Sequence, residues 1–129
     1  MEILGHGIDV VDLERFGRLL NEEGGDFLSR CFTRAERAKA ASEDSSKEHE
    51  TLAGKFAAKE AVAKALGSGF DGTLGPLHIE IANDAMGAPK VVLHDAALTL
   101  ATKLGVTSWQ LSISHAGTVA VASALALRN

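Results

Sequence analysis

Three ionisable residues in this chain have types and spacings that could do chemistry together. Glu60 and Lys64 lie one helical turn apart in the run Phe56-Ala57-Ala58-Lys59-Glu60-Ala61-Val62-Ala63-Lys64-Ala65-Leu66, and Asp9 closes an early Gly5-His6-Gly7-Ile8-Asp9 segment. At 100° per residue, Leu52, Phe56 and Ala63 form one apolar sector of the helix, and Gly54, Ala57, Ala58, Ala61 and Ala65 form a second, made of small residues. Glu60 and Lys64 fall in one narrow gap between these sectors; Lys55 and Lys59 fall in the other. A carboxylate wedged between two buried sectors must be paired or metal-bound, because desolvating it alone costs several kcal/mol. Glu60 therefore has two readings, an i, i+4 ion pair with Lys64 or a metal ligand. Asp9 likewise reads either as a turn or cap aspartate or as a second ligand. Ser112-Ile113-Ser114-His115 supplies hydroxyls and an imidazole, or ordinary turn chemistry. Gly67-Ser68-Gly69 ends the helix, with a C-cap accounting for its first glycine and phosphate contact as the alternative.

Composition narrows the classes. The chain has 129 residues, 46% of them hydrophobic, which predicts one domain over 1–129 with a core of its own. No apolar run approaches the roughly 20 residues that span a bilayer. The start of the sequence lacks a secretory pattern, and a single cysteine, Cys31, excludes an internal disulfide framework; both point to the cytoplasm. The net charge of −4 argues against general nucleic-acid binding. An anionic substrate then requires cations gathered locally at its site.

The elements that must position these residues can be read in order. Ile3 to Val11 reads as a strand whose Gly5 and Gly7 admit a close approach by backbone or ligand. Asp12 to Leu20 reads as a helix fading at Gly24-Gly25. Thr33-Arg34-Ala35-Glu36 is a capping box opening a helix to about Ala41, and Glu36 is assigned to that cap. Ser42 to Glu50 is polar and reads as a mobile loop before the long helix. Leu77, Ile79 and Ile81 alternate with His78 and Glu80 as in a strand, and Asn83 to Pro89 turns the chain into a second strand, Lys90 to Leu93. Asp95 is placed to cap a helix ending at Gly105. Ser108 to Ser114 alternates, His115-Ala116-Gly117 turns, and Val119 to Leu127 is apolar on both faces, as in a covered central strand. Strands and helices do not alternate regularly, so the expected class is α+β.

Four blocks in this order resemble one family. They are Gly5-x-Gly7-Ile8-Asp9-Val10-Val11-x-Leu13-x-Arg15-Phe16; Phe32-Thr33-x-x-Glu36; Leu52-Ala53-Gly54-Lys55-Phe56-Ala57-Ala58-Lys59-Glu60-Ala61 with Lys64 to Gly69; and Ser112-Ile113-Ser114-His115. Together with Gly87-x-Pro89 they resemble the small bacterial 4′-phosphopantetheinyl transferases, the holo-[acyl-carrier-protein] synthases, over nearly the whole chain. Two positions depart from the pattern. Lys55 stands where the family usually has arginine, keeping the charge but losing the bidentate fork, and Ala116 follows the histidine where a polar residue is common.

The resemblance implies an antiparallel sheet packed around a long central helix, and transfer of the phosphopantetheine arm of coenzyme A to a serine of apo acyl carrier protein in fatty acid biosynthesis. Asp9 and Glu60 would then hold Mg²⁺, which favours one or two carboxylates plus phosphate oxygens and waters. Lys64 would neutralise charge on the phosphates. Lys55, Lys59 and His115 become candidates for the 3′-phosphate or pyrophosphate, with Gly67, Ser68, Gly69 and Ser114 contributing shorter contacts. The general base is left between Glu60 and a water. The resemblance also implies a homotrimer with active sites between subunits. An acidic carrier needs a basic landing surface, and Arg15 and Arg18, three residues apart on one helix face, provide it unless they pair with Asp12, Glu14 or Glu22. A noncatalytic binding module and a structural oligomer with Asp9 and Glu60 in an ion-pair network are the competing classes.

Overall fold

The computed structural model describes residues 1–70 and 72–129. Its axis is α4 (Ser45–Ala65), 21 residues or about 32 Å long at 1.5 Å per residue, with Leu52, Ala53, Gly54 and Ala57 to Ala65 almost wholly enclosed except at Glu60 and Lys64. Around it lie β1 (Glu2–Asp12), α1 (Leu13–Glu23), α2 (Gly25–Cys31), α3 (Arg34–Ala41), a 3₁₀ turn at Pro76–His78, β2 (Ile79–Asn83), β3 (Pro89–Leu93), α5 (Asp95–Leu104), β4 (Ser108–Ala116) and β5 (Val119–Arg128). The strands form two antiparallel sheets, one in the order β1-β5-β4 and one pairing β2 with β3. The α+β class expected from the sequence is the class observed.

The small-residue sector of α4 sets the geometry. A Cβ at Gly7 would lie 1.9 Å from the Ala61 carbonyl oxygen, and one at Gly5 would lie 1.9 Å from that of Ala65. Backbone, not ligand, is thus what approaches the two β1 glycines. β5 is the central strand of its sheet; Ala120, Ala122, Ala124 and Ala126 alternate inward onto the core beneath α4. The opposite face of the same sheet is open, with Ile8 54% and Val10 59% exposed. A second core gathers Phe16, Phe27, Phe32 and Phe56, every pair of rings 5.7–6.5 Å apart between centroids.

Four local expectations are corrected. The polar stretch expected as a mobile loop is helical from Ser45, because Asp44 breaks the chain direction at the N-cap and Lys47 and Glu48 N–H groups return to its carbonyl. Leu77 and His78 belong to the 3₁₀ turn rather than to a strand; Pro76 has no N–H for a ladder, and the His78 Nδ1 instead accepts the Gly75 N–H at 3.1 Å. Asp95 is not the cap of α5 but its first residue, with φ 49°, while His94 occupies the N-cap without a side-chain capping bond, its ring Nε2 lying 2.9 Å from Glu80 Oε1 instead. His115 lies within β4, and the turn falls at Gly117-Thr118. Helix α2 has no counterpart in the sequence reading; its Phe27 and Cys31 are buried on the aromatic core.

Candidate active site

β1 delivers Asp9 to the side of α4 that carries Glu60 and Lys64. Gly7 is two residues before Asp9 in an alternating strand, so the close contact of Gly7 with Ala61 turns Asp9 to the same side. The Lys64 ammonium lies 3.2 Å from Asp9 Oδ1 and donates to the Ile8 carbonyl at 2.9 Å. Lys64 therefore reaches across to the strand and not back along its own helix to Glu60. Glu60 is left half-buried and, among the described residues, without a hydrogen bond or ion pair. Burial and the Asp9 carboxylate push its carboxyl above the usual carboxylate range, with Lys64 pulling the other way.

Both carboxylates open onto a groove of about 470 Å³, which Arg15, Asp12 and Phe56 also line. Asp12 caps α1, accepting the Arg15 backbone N–H at 3.0 Å, so the guanidinium of Arg15 starts beside the carboxylates and is exposed. Arg18 instead pairs with Glu14 at 3.2 Å, the local pairing its neighbours allowed.

No group of three or more His, Cys, Asp or Glu able to hold a metal ion occurs among the described residues. The pair Asp9 and Glu60 fits Mg²⁺ nonetheless. Two hard-oxygen donors, one of them unpartnered and repelled by the other, match an ion that takes its remaining ligands from phosphate and water.

A second groove, about 230 Å³, runs between the N-terminal half of α4 and the β2–β3 turn. Lys39, Lys55, Asn83, Pro89 and His115 line it, together with Glu43, whose carboxylate accepts the Thr51 hydroxyl at 2.9 Å. The Lys55 ammonium is tethered to the Ile81 carbonyl at 2.6 Å and Asn83 Oδ1 at 3.2 Å, and burial pushes its pKa down. His115 lies over Gly54, where a Cβ would come within 3.0 Å of Nε2. Its Nε2 sits 2.7 Å from the Glu50 carbonyl, so Nε2 carries the proton and Nδ1 is the nitrogen left over. Lys39 is exposed on α3 and adds a cation the sequence reading did not single out; nothing in its local sequence marks it.

Lys59 is corrected. Expected as a phosphate contact, it is 0% exposed, 2.8 Å from Glu36 Oε1, and donates to the Pro76 carbonyl at 2.9 Å and the Ile79 carbonyl at 2.5 Å. All its N–H groups are committed inside the fold. Glu36 forms the expected capping box and serves this buried cation as well.

Gly67-Ser68-Gly69 caps α4: the Gly67 N–H returns to the Lys64 carbonyl and the Ser68 N–H to that of Ala63, with Gly67 at φ 77°. The Ser68 hydroxyl donates to the Gly69 carbonyl. Ser114, adjacent to His115 in β4, points to the opposite sheet face, opposite Val121. One chain thus brings Asp9, Glu60, Lys64 and Arg15 together, and separately Lys39, Lys55 and His115. Along α4, Gly54 beneath His115 and the cap at Leu66 are about 18 Å apart.

The sequence profile of the 4′-phosphopantetheinyl transferase superfamily matches residues 5–122, and the chain belongs to that superfamily. It is 47% identical over 120 residues to the holo-[acyl-carrier-protein] synthase of Solidesulfovibrio magneticus, covering 93% of this chain and 94% of that one. Its fold matches the crystal structure of holo-[acyl-carrier-protein] synthase from Neisseria meningitidis with a TM-score of 0.90 at 33% identity, over 98% of this chain and 100% of the other. The holo-(acyl-carrier-protein) synthase of Bacillus anthracis, solved in complex with CoA (3′,5′-ADP), matches with a TM-score of 0.81 at 34% identity, over 98% of each chain.

Proposed function

We propose that this protein transfers the 4′-phosphopantetheine group of coenzyme A to a serine of apo acyl carrier protein, giving holo carrier protein and adenosine 3′,5′-bisphosphate. The observation that carries this reading is that Asp9 and Glu60 open onto one groove with Lys64 paired to Asp9, in a chain similar over nearly its full length to holo-[acyl-carrier-protein] synthases. In the reaction the serine oxygen bonds to the pantetheine phosphorus, and the bridging P–O bond breaks with its electron pair on the leaving nucleotide phosphate. Phosphoryl transfer asks mainly for placement and charge neutralisation. Asp9 and Glu60 would hold Mg²⁺, which supplies charge neutralisation at the pyrophosphate. Lys64 stabilises charge that builds on the phosphate oxygens. Glu60, which has no hydrogen bond or ion pair of its own among the described residues and opens onto the same groove, is the side chain placed to take the serine proton.

The nucleotide end of coenzyme A fits the second groove, where the Lys39 and Lys55 ammoniums outnumber the Glu43 carboxylate in a chain of net charge −4 and His115 offers its second ring nitrogen. That groove and the Gly67-Ser68-Gly69 cap lie toward opposite ends of α4. We therefore read the protein as a homotrimer with active sites between subunits, each combining the carboxylate groove and helix cap of one copy with the cationic groove of its neighbour. The exposed Ile8 and Val10 face supports an interface there. Ser114 is on that face and would contact a neighbouring copy's substrate. The product belongs to cytoplasmic fatty acid biosynthesis. Arg15, beside the carboxylates and exposed, is the proposed contact for the acidic carrier; Arg18, tied to Glu14, contributes less.

Incubation with coenzyme A, Mg²⁺ and an apo carrier protein tests the reading. The carrier should gain the mass of one phosphopantetheine while adenosine 3′,5′-bisphosphate appears in equal amount. Tight binding of coenzyme A with no mass gain would mark a noncatalytic module instead.

A further inference from the structure

The buried Glu36 carboxylate is used by nothing in the reaction above, yet it ties three elements together. Its Oε1 accepts the Thr33 N–H and the Lys59 ammonium, each at 2.8 Å, and its Oε2 accepts the Ile81 N–H at 2.7 Å. Glu36 is 2% exposed and Lys59 0%. Lys59 extends the tie to the Pro76 and Ile79 carbonyls and lies 5.6 Å from the centre of the Phe32 ring. Two charges are kept this deep only when each is fully bonded, and removing one strands the other. The tie ends at one wall of the cationic groove: Ile81, whose N–H Glu36 holds, offers its carbonyl to Lys55 at 2.6 Å.

From this geometry we infer that Glu36 is a positioning residue for the nucleotide end of coenzyme A. It fixes β2 against α4, and β2 in turn sets Lys55 and the Asn83 to Pro89 turn that line the groove. The reacting centre is braced from a different direction. Asp9 and Glu60 are registered by the contact of β1 glycines with the Ala61 and Ala65 carbonyls, in which Glu36 takes no part. Loosening the tie therefore acts on coenzyme A affinity and leaves the chemical step and the carrier-docking groove in place. This inference rests on the coenzyme A reading given above.

The test compares Glu36→Gln with the double variant Glu36→Leu/Lys59→Met. The single change strands the Lys59 charge and can unfold the chain. The double change removes both charges together, which buried pairs often tolerate, and still deprives the Ile81 N–H of its acceptor. Calorimetric titration with coenzyme A and steady-state kinetics are run on each folded variant beside the wild type. The double variant should bind coenzyme A about tenfold more weakly, keep kcat within about threefold and keep its KM for the carrier protein. Wild-type affinity for coenzyme A in the double variant would overturn the inference, as would a loss shared equally by kcat and both substrates. If the wild type itself bound no coenzyme A, the proposed function would fall first. Wild-type binding with an unaffected variant would fault the positioning role alone.

Discussion

Replacing Gly7 with alanine tests how the carboxylates are held. Its Cβ would sit 1.9 Å from the Ala61 carbonyl oxygen, where an ordinary C···O approach is about 3.3 Å. Strand and helix must therefore part by about 1.4 Å, and neither partner atom is the flexible end of a side chain. Gly7 lies two residues before Asp9, and Ala61 follows Glu60, so the displacement falls on the distance between the two carboxylates. A misplacement near 1 Å can cost about 100-fold in turnover, and overpacking of this kind costs about 1–3 kcal/mol of stability. For a chain of this length that corresponds to a loss on the order of 10 °C in Tm. Gly17→Ala serves as the control: nothing lies within 4 Å of the added methyl, and in the interior of α1 it gains about 1 kcal/mol in helix propensity. Circular dichroism melts and kcat at saturating coenzyme A and carrier read both variants. A Gly7→Ala protein with the wild-type Tm and kcat would refute the claim that this backbone contact registers the site.

Three further outcomes follow from the site. Glu60→Gln should abolish Mg²⁺-dependent transfer and make the metal-free protein more stable at neutral pH. Because the Glu60 carboxyl titrates higher folded than its usual 4.5, wild-type stability falls as pH rises from 4.5 through that raised value, and melts of the Gln variant should lack this fall. Lys64→Ala should lower kcat more than coenzyme A affinity, whereas Lys55→Ala should chiefly raise the KM for coenzyme A; the reverse pattern would exchange their roles. Arg15→Glu should slow carrier modification sharply with little change in coenzyme A affinity, and should flatten the salt dependence of the wild-type rate; unchanged salt dependence with weakened coenzyme A binding would move Arg15 to the nucleotide site.

The long helix was legible because small residues repeat on one side of it, and Gly5 and Gly7 marked a strand open to close approach by backbone or ligand; that α4 is what approaches came from the structure. Its first two turns were not legible. Ser45 to Glu50 project from the core with solvated side chains, so no apolar period announces them. Helical angle placed Lys59 with Lys55 in the gap between the two apolar sectors but said nothing of depth, and its partner was hidden because Glu36 already satisfied a local cap. A capping box is visible within four residues, whereas the 2.8 Å pairing with Lys59 depends on how α3 crosses α4. The opposed directions of Ser114 and His115 follow from strand alternation and were missed by placing His115 in the turn. Lys39 enters the cationic groove only through that same helix crossing, which no local pattern encodes.

The central claim is that Asp9, with Glu60 and Lys64, forms the centre at which phosphopantetheine leaves coenzyme A. Its most direct test is a single-turnover reaction of enzyme, coenzyme A, Mg²⁺ and apo carrier at equal concentrations, followed by intact mass of the carrier for wild type and Asp9→Asn. The wild type should convert the carrier fully to the phosphopantetheinylated form, and Asp9→Asn should bind coenzyme A yet leave the carrier unmodified over the same time. Equal conversion by the two proteins would contradict the account.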